Sequence, residues 1–161
     1  MSGFLYTVEC VDKDGNVKWT EEVHNIIPTE AQNYFITASL TGGTRYTTWY
    51  VGIYTNNYAP VASDTMATFA ASASEVTAYS ESARPTFTPG SVASGLVTNY
   101  DNAAEFTLTA DTTVRGGFIA SSSTKGATTG LLLSAALFTS SRSVLNGEGL
   151  RVKAGMQLAS S

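Results

Sequence analysis

The chain of 161 residues is short of the residue types that most active sites are built from, with one cysteine and one histidine. A lone cysteine excludes an intrachain disulfide and a thiolate metal cage, and a lone histidine excludes a trio of imidazole ligands. A Ser-His-Asp triad would have to use His24, and the chain has no Gly-x-Ser-x-Gly elbow to go with it. His24 is therefore expected to be a satisfied structural histidine. Charge is also scarce: 14% of residues are charged, the formal net charge is −4, and the pI is about 4.8. The nine basic residues are scattered, with no cluster denser than Arg151-Val152-Lys153. Without a cationic face to displace counterions from phosphates, nucleic acid is not an expected partner. No apolar run approaches the roughly 20 residues of a membrane-spanning helix. The first residues lack a basic segment leading into an apolar run, so synthesis in a cytoplasm is the expectation.

What the chain does have is β-forming material. Hydrophobic residues make up 43% and Ser plus Thr about a quarter, a composition that suits pleated, half-buried surfaces. Residues 4–11 alternate with Phe4, Tyr6, Val8 and Cys10 on one face, which predicts a buried, inert thiol. Asp12-Lys13-Asp14-Gly15-Asn16 reads as a turn, and Val17, Trp19 and Val23 resume the alternation, so a hairpin is expected. The same Asp-x-Asp-Gly resembles the start of a calcium loop, but its twelfth position is Val23 where a Glu would be needed. Pro28-Thr29-Glu30-Ala31-Gln32 predicts a helix over about residues 29–40, with Thr29 as N-cap and Gln32 completing a capping box, ended by Gly42-Gly43.

Thr48–Tyr54 is apolar on both faces, as in a central strand covered by two layers. Residues 61–74 fit either a short helix around Met66 to Ala71 or a packed loop. Strands are expected at Ser91–Thr98, Ala104–Ala110, Gly117–Ser121, Gly130–Thr139 and Leu150–Leu158, separated by Gly/Asn/Ser turns. The whole, residues 1–161, reads as one mainly β domain: a jelly-roll-like β-sandwich with one short helix and an extended arm or edge segment at 75–90.

No catalytic motif emerges. Glu21-Glu22 fits a solvated strand face better than the paired carboxylates, about 5–10 Å apart, of a glycosidase. Thr124-Lys125-Gly126-Ala127-Thr128-Thr129-Gly130 lacks the Gly-Lys-Ser/Thr order of a phosphate loop and reads as a hairpin loop. The protein is not expected to be an enzyme or to hold a cofactor or metal. In Glu75–Gly90 (EVTAYSESARPTFTPG), Pro85 biases Arg84 to an extended conformation and cannot donate to a ladder. Tyr79, Glu81 and Arg84 are the candidate contacts with a neighbouring subunit or a capsid. The alternative is that they tie the segment to its own domain by local ion pairing.

Several stretches, in order and spacing, carry a resemblance: Trp19–Asn25 (WTEEVHN), the helix ending in Leu40-Thr41-Gly42-Gly43, Thr48-Trp49-Tyr50-Val51-Gly52, Glu75–Tyr79 with Arg84-Pro85, and Gly117-Phe118-Ile119 with Ser121–Gly126. Together they resemble the capsid cement or decoration proteins of tailed bacteriophages, over nearly the whole chain. The resemblance implies a β-rich, usually oligomeric virion protein that binds the outer face of the shell and staples neighbouring capsomers. Its partners would be the major capsid protein and itself, with a dimer favoured over a trimer, and its location the outer capsid surface. A tail or spike protein binding host-surface carbohydrate is the alternative expectation. An acidic surface suits an outer position, away from packaged DNA.

Overall fold

The structure, a computed structural model, describes residues 3–158. In chain order its elements are β1 (Gly3–Val11), β2 (Val17–His24), α1 (Thr29–Leu40), β3 (Trp49–Tyr54), α2 (Met66–Ala73), β4 (Thr86–Phe87), β5 (Leu96–Thr98), β6 (Ala104–Thr107), β7 (Thr112–Ala120), β8 (Leu132–Val144) and β9 (Gly149–Gln157). Two antiparallel sheets form a β-sandwich. One sheet runs β2-β1-β9, with β5 and β6 sharing the far edge of β9, and the other runs β4-β3-β7-β8.

The N-terminal hairpin forms as the alternation predicts. Phe4, Tyr6, Val8 and Cys10 are buried, while Leu5, Thr7 and Glu9 are only partly covered. The Asp12 carboxylate accepts the Asp14 and Asn16 N–H groups at 2.9 and 2.8 Å, which closes the turn. Those bonds hold the Asp12 carboxyl below the usual carboxylate range. Between the sheets lies the main core, where Tyr6, Val8, Val152 and Phe106 meet Val51, Ile53, Val114 and Ile119. The Tyr6 hydroxyl spans the layers to the Ser134 hydroxyl.

β3 is buried on both faces, as its continuous apolar pattern requires. Val51 and Ile53 face the main core, whereas Tyr54 joins Phe118, Met66 and Phe69 in a second cluster under α2. Gly52 makes this possible, because a Cβ there would come within 2.1 Å of the Phe118 ring.

Two irregularities are repaired by side chains. β5 and β6 are one strand interrupted at Asn99–Asn102. There the buried Asn99 carboxamide accepts from Ala154 N at 2.6 Å and donates to Val152 O at 3.2 Å, replacing the missing ladder bonds. In the other sheet the pairing of β7 with β8 slips between Val114/Gly116 and Arg142/Leu137, leaving a bulge in β8. Glu21 from β2 fills it, taking the Thr139 N–H at 2.8 Å and bonding the Thr139 hydroxyl and the Arg142 guanidinium.

Four expectations are corrected. Among the described residues there are two helices rather than the one expected in the fold, because the Ala/Ser-rich stretch, open between a short helix and a packed loop, forms α2. Thr29 is the first residue of α1 and not its cap: Pro28 occupies the cap with no side-chain bond, and Gln32 instead donates to Ile27 O. The capping box forms at α2, between Thr65 and Thr68. Finally, the strand at 91–98 is only Leu96–Thr98, because the Pro89-Gly90 turn and the left-handed Ser94 and Gly95 interrupt pairing before it.

Candidate functional site

Arg84 and Tyr79, two of the three candidate contact residues, lie inside the molecule, 2% and 4% exposed. Arg84 is the hub of an internal lock. Its guanidinium clamps Glu75 with two bonds of 2.8 and 2.6 Å, donates to Ser122 O and Ala127 O, and lies 5.1 Å from the centre of the Phe118 ring. Glu75 also takes the Gly126 N–H at 2.8 Å, and Lys125 sits 3.8 Å over the Tyr79 ring while donating to Tyr79 O. The β7–β8 loop is thereby tied to residues 75–84.

This segment is not a free arm. It starts on β3 through the Val76–Ile53 bond, crosses to the other sheet through the Tyr79–Leu108 bridge and the Ser80–Thr107 bond, and returns as β4. Glu81 completes the crossing by accepting Thr107 N–H. The assignment of Tyr79 and Arg84 as exposed contacts is therefore corrected in favour of local ion pairing. The physical reason is that a bidentate Arg–carboxylate pair also supplies the loop carbonyls with donors they otherwise lack. The Tyr79 hydroxyl is buried without a partner, and burial raises its pKa well above the ordinary tyrosine value.

The remaining buried carboxylates are also spent on the fold. Glu21 is buried, which corrects its expected place on a solvated face; Glu22 beside it is exposed. Burial alone would push the Glu21 carboxyl up, but the Thr139 and Arg142 bonds outweigh it, so its pKa lies below the usual range. Glu148 accepts from Leu145 N and Lys18, and these bonds hold it low as well. Cys10 points at Glu148 from 3.7 Å, and burial together with that carboxylate pushes the thiol up to about 11, which keeps it protonated and unreactive. Asp64 takes the Tyr58 hydroxyl and Val61 N–H, and Glu30 takes the N–H groups of Met66 and Leu132. Among the described residues no three His, Cys, Asp or Glu side chains are grouped as metal ligands. His24, expected to be satisfied internally, is exposed at the end of β2.

The distinctive surface lies at the end of the sandwich where β1 begins and β9 finishes. Three hollows join there. The first, about 290 Å³, is lined by Phe4, His24, Asn25, Leu96 and Tyr100. It shares Asn25 with a second of about 490 Å³, lined also by Ile27, Phe35, Met156 and Leu158. Phe35 leads into a third of about 380 Å³ beside Arg45, where the rings of Tyr34, Tyr46 and Trp49 stand 5.5 Å apart. The result is a trough, mainly apolar in its first two hollows and mixed polar and apolar in the third, where Arg45 lies. Among the described residues ten large apolar side chains are exposed, and seven of them lie on this end: Ile36, Leu40, Tyr46, Val92, Leu96, Tyr100 and Leu158.

Charge is almost missing from the same end. Arg45 is the one charged residue between Glu30 and Asp64, and residues 85–100 contain none. Exposed apolar patches of this kind occur at protein-interaction sites, membrane contacts and ligand grooves. Sequence inspection missed it because the segments that build it, 25–49, 91–100 and 156–158, are far apart in the chain. The charge-free runs themselves were the signal available.

No protein-family model matches this chain, and no curated protein matches it either. What the fold and this surface define is a class: a two-sheet β-sandwich with a neutral, apolar end.

Proposed function

We propose that the protein is a cement or decoration protein of a bacteriophage capsid, related to jelly-roll virion proteins, which binds the outer shell through the neutral trough. The observation that carries this proposal is that exposed large apolar side chains, Tyr46, Leu96, Tyr100 and Leu158, line hollows in which Arg45 is the one charged lining residue. The resemblance of the chain to such proteins supplies the partner, the major capsid protein. On this reading the contact falls on Leu96, Tyr100 and Leu158, which line the trough, with the exposed Val92 in the loop before Leu96, and not on the buried Tyr79 and Arg84. A non-enzymatic role fits the assignment of each buried carboxylate to a bulge or loop. Individually weak contacts suffice on a shell, because many copies sit on a rigid lattice.

The test is co-sedimentation with expanded heads stripped of accessory proteins. Wild-type protein is expected to pellet with the heads in amounts comparable to the major capsid protein. A Val92→Glu/Leu96→Glu variant is expected to stay in the supernatant with an unchanged circular dichroism spectrum. Binding to tails alone, or undiminished binding of the variant, would overturn the proposal. The tail-spike alternative has one observation in its favour, the Tyr34-Tyr46-Trp49 group around Arg45, and predicts glycan binding that Trp49→Ala abolishes.

A further inference from the structure

One turn holds a pair of residues that occurs nowhere else in the chain. Of eight asparagines only Asn146 is followed by glycine, and the pair sits in Leu145-Asn146-Gly147-Glu148, which carries the chain from β8 to β9. Asn146 and Gly147 are both exposed. A backbone nitrogen can attack the side-chain carboxamide of the asparagine before it, because a five-membered ring results. Glycine shields its nitrogen least, having no side chain.

The fold holds this pair short of reaction. Glu148 N–H donates to Leu145 O at 3.0 Å, Asn146 keeps a negative φ and Gly147 has φ 82°, which together make a type II turn. With ψ of about +120° in such a turn, the Gly147 nitrogen lies on the Hα side of the Asn146 Cα–C bond. The ring can close only on the Cβ side. The attacking nitrogen is also occupied, since Gly147 N–H donates to Leu108 O at 2.7 Å while Leu108 N–H donates to Glu148 O at 2.9 Å. Asn146 N–H is held by Asp111 Oδ1 at 2.8 Å.

We propose that Asn146-Gly147 is a site of spontaneous covalent modification in the folded protein: deamidation through a succinimide ring, gated by local opening of this turn. Base removes the Gly147 amide proton, and the nitrogen bonds to Asn146 Cγ. The Cγ–Nδ2 bond breaks and the side-chain nitrogen leaves as ammonia, taking up a proton. Water then opens the ring at one of its two carbonyls. Cleavage at Cγ leaves an ordinary aspartate, and cleavage at the main-chain carbonyl leaves an isoaspartyl link through Cβ and Cγ. Water is the only reagent consumed. Opening the turn uncovers no core side chain, because Leu145, Asn146 and Gly147 are all exposed, so it should cost less than global unfolding.

The product alters a structural anchor. The net charge falls from −4 to −5, with the new carboxylate beside Asp111, and the isoaspartyl form lengthens the turn by one methylene. Glu148, whose carboxylate takes the Leu145 N–H and Lys18 and faces the Cys10 thiol, is fixed by this turn. Modified protein should therefore unfold at lower urea concentration. None of this depends on shell binding.

The test is long incubation of purified protein at neutral and alkaline pH, followed by peptide mass spectrometry that separates aspartyl from isoaspartyl products. Asn146 should be modified before the other seven asparagines, to both products, and faster at alkaline pH. Hydroxylamine, which attacks the succinimide, should cleave the chain between residues 146 and 147. The native rate should be at least about tenfold below that of the urea-unfolded chain, as expected for a reaction confined to an open form. Asp111→Ala should raise the native rate about five- to tenfold by removing a charged acceptor. Asp111→Asn, which keeps an acceptor oxygen, should behave like wild type. Asn99→Ala, which weakens the whole fold from a distant edge, should leave the rate unchanged. Earlier modification of another asparagine would overturn the proposal, as would an aspartyl product alone without hydroxylamine cleavage. Equal rates in folded and unfolded protein, an unchanged rate in Asp111→Ala, or acceleration by Asn99→Ala would each overturn the gating by this turn.

Discussion

The two ends of the sandwich use their side chains in opposite ways. At the turn end, and along the edges where the sheets meet, acidic groups are bonded into the fold: Asp12 closes the hairpin, Glu148 gathers Leu145 and Lys18, and Glu21 fills the β8 bulge. At the α1 end there is little charge, and large apolar groups stand in water without a partner. The comparison separates residues that keep the protein folded from residues available to bind. Substitutions at the first set should change stability, and substitutions at the second should change association and leave stability alone.

The largest effect is expected at the Arg84 lock. Arg84→Met strands the Glu75 carboxylate in the interior and should destabilise by about 3–5 kcal/mol, measured by urea unfolding. Adding Glu75→Gln should recover part of that loss, since the uncompensated charge is then gone. Next comes Glu21→Ala, which leaves the Thr139 N–H and Arg142 without an acceptor and should cost about 2–3 kcal/mol. Asn99→Ala removes the carboxamide that bridges the interrupted edge strand, and about 1–3 kcal/mol is expected from the orphaned Ala154 N–H and Val152 carbonyl.

Acid should act on the same set. Glu21 and Glu148 both sit below the ordinary carboxylate pKa in the folded protein. As pH falls below about 4.5 the unfolded chain takes up protons that the native carboxylates still decline. Their stabilisation is thus complete above that pH and drains away as pH drops through the folded values. Urea midpoints measured at neutral pH and at stepwise lower pH should decline, with a shallower decline in Glu21→Gln. The smallest effect belongs to the exposed Glu105–Arg151 pair, whose removal should change stability by no more than about 1 kcal/mol.

Much of the fold was legible in the sequence because burial imposes a period. The alternation of Phe4, Tyr6, Val8 and Cys10 placed β1 and its buried thiol, and the unbroken run through Val51 and Ile53 placed a strand covered on both sides. The Asp-Gly turn placed the hairpin. Local signals failed where a distant partner decides. Glu21 looks like a surface residue beside Glu22 until the β8 bulge brings Thr139 and Arg142 to it, 118 and 121 positions away. Arg84 looks like an available cation until residues 122–127 fold over it. Two of the three candidate contact residues, Arg84 and Tyr79, turned inward for this reason. The neutral end stayed hidden because its apolar residues come from separate segments, with Leu96 and Phe35 meeting only through Met156 and Leu158.

The proposed division between a folded-in charged end and a neutral end available to bind is tested most directly by electron cryo-microscopy of expanded phage heads incubated with the purified protein. The account predicts the sandwich on the outer shell in many copies, with Val92, Leu96 and Leu158 against the major capsid protein and the Asp12–Asn16 turn facing solvent. Bare heads, or a shell contact made through the Asp12–Asn16 turn, would contradict it.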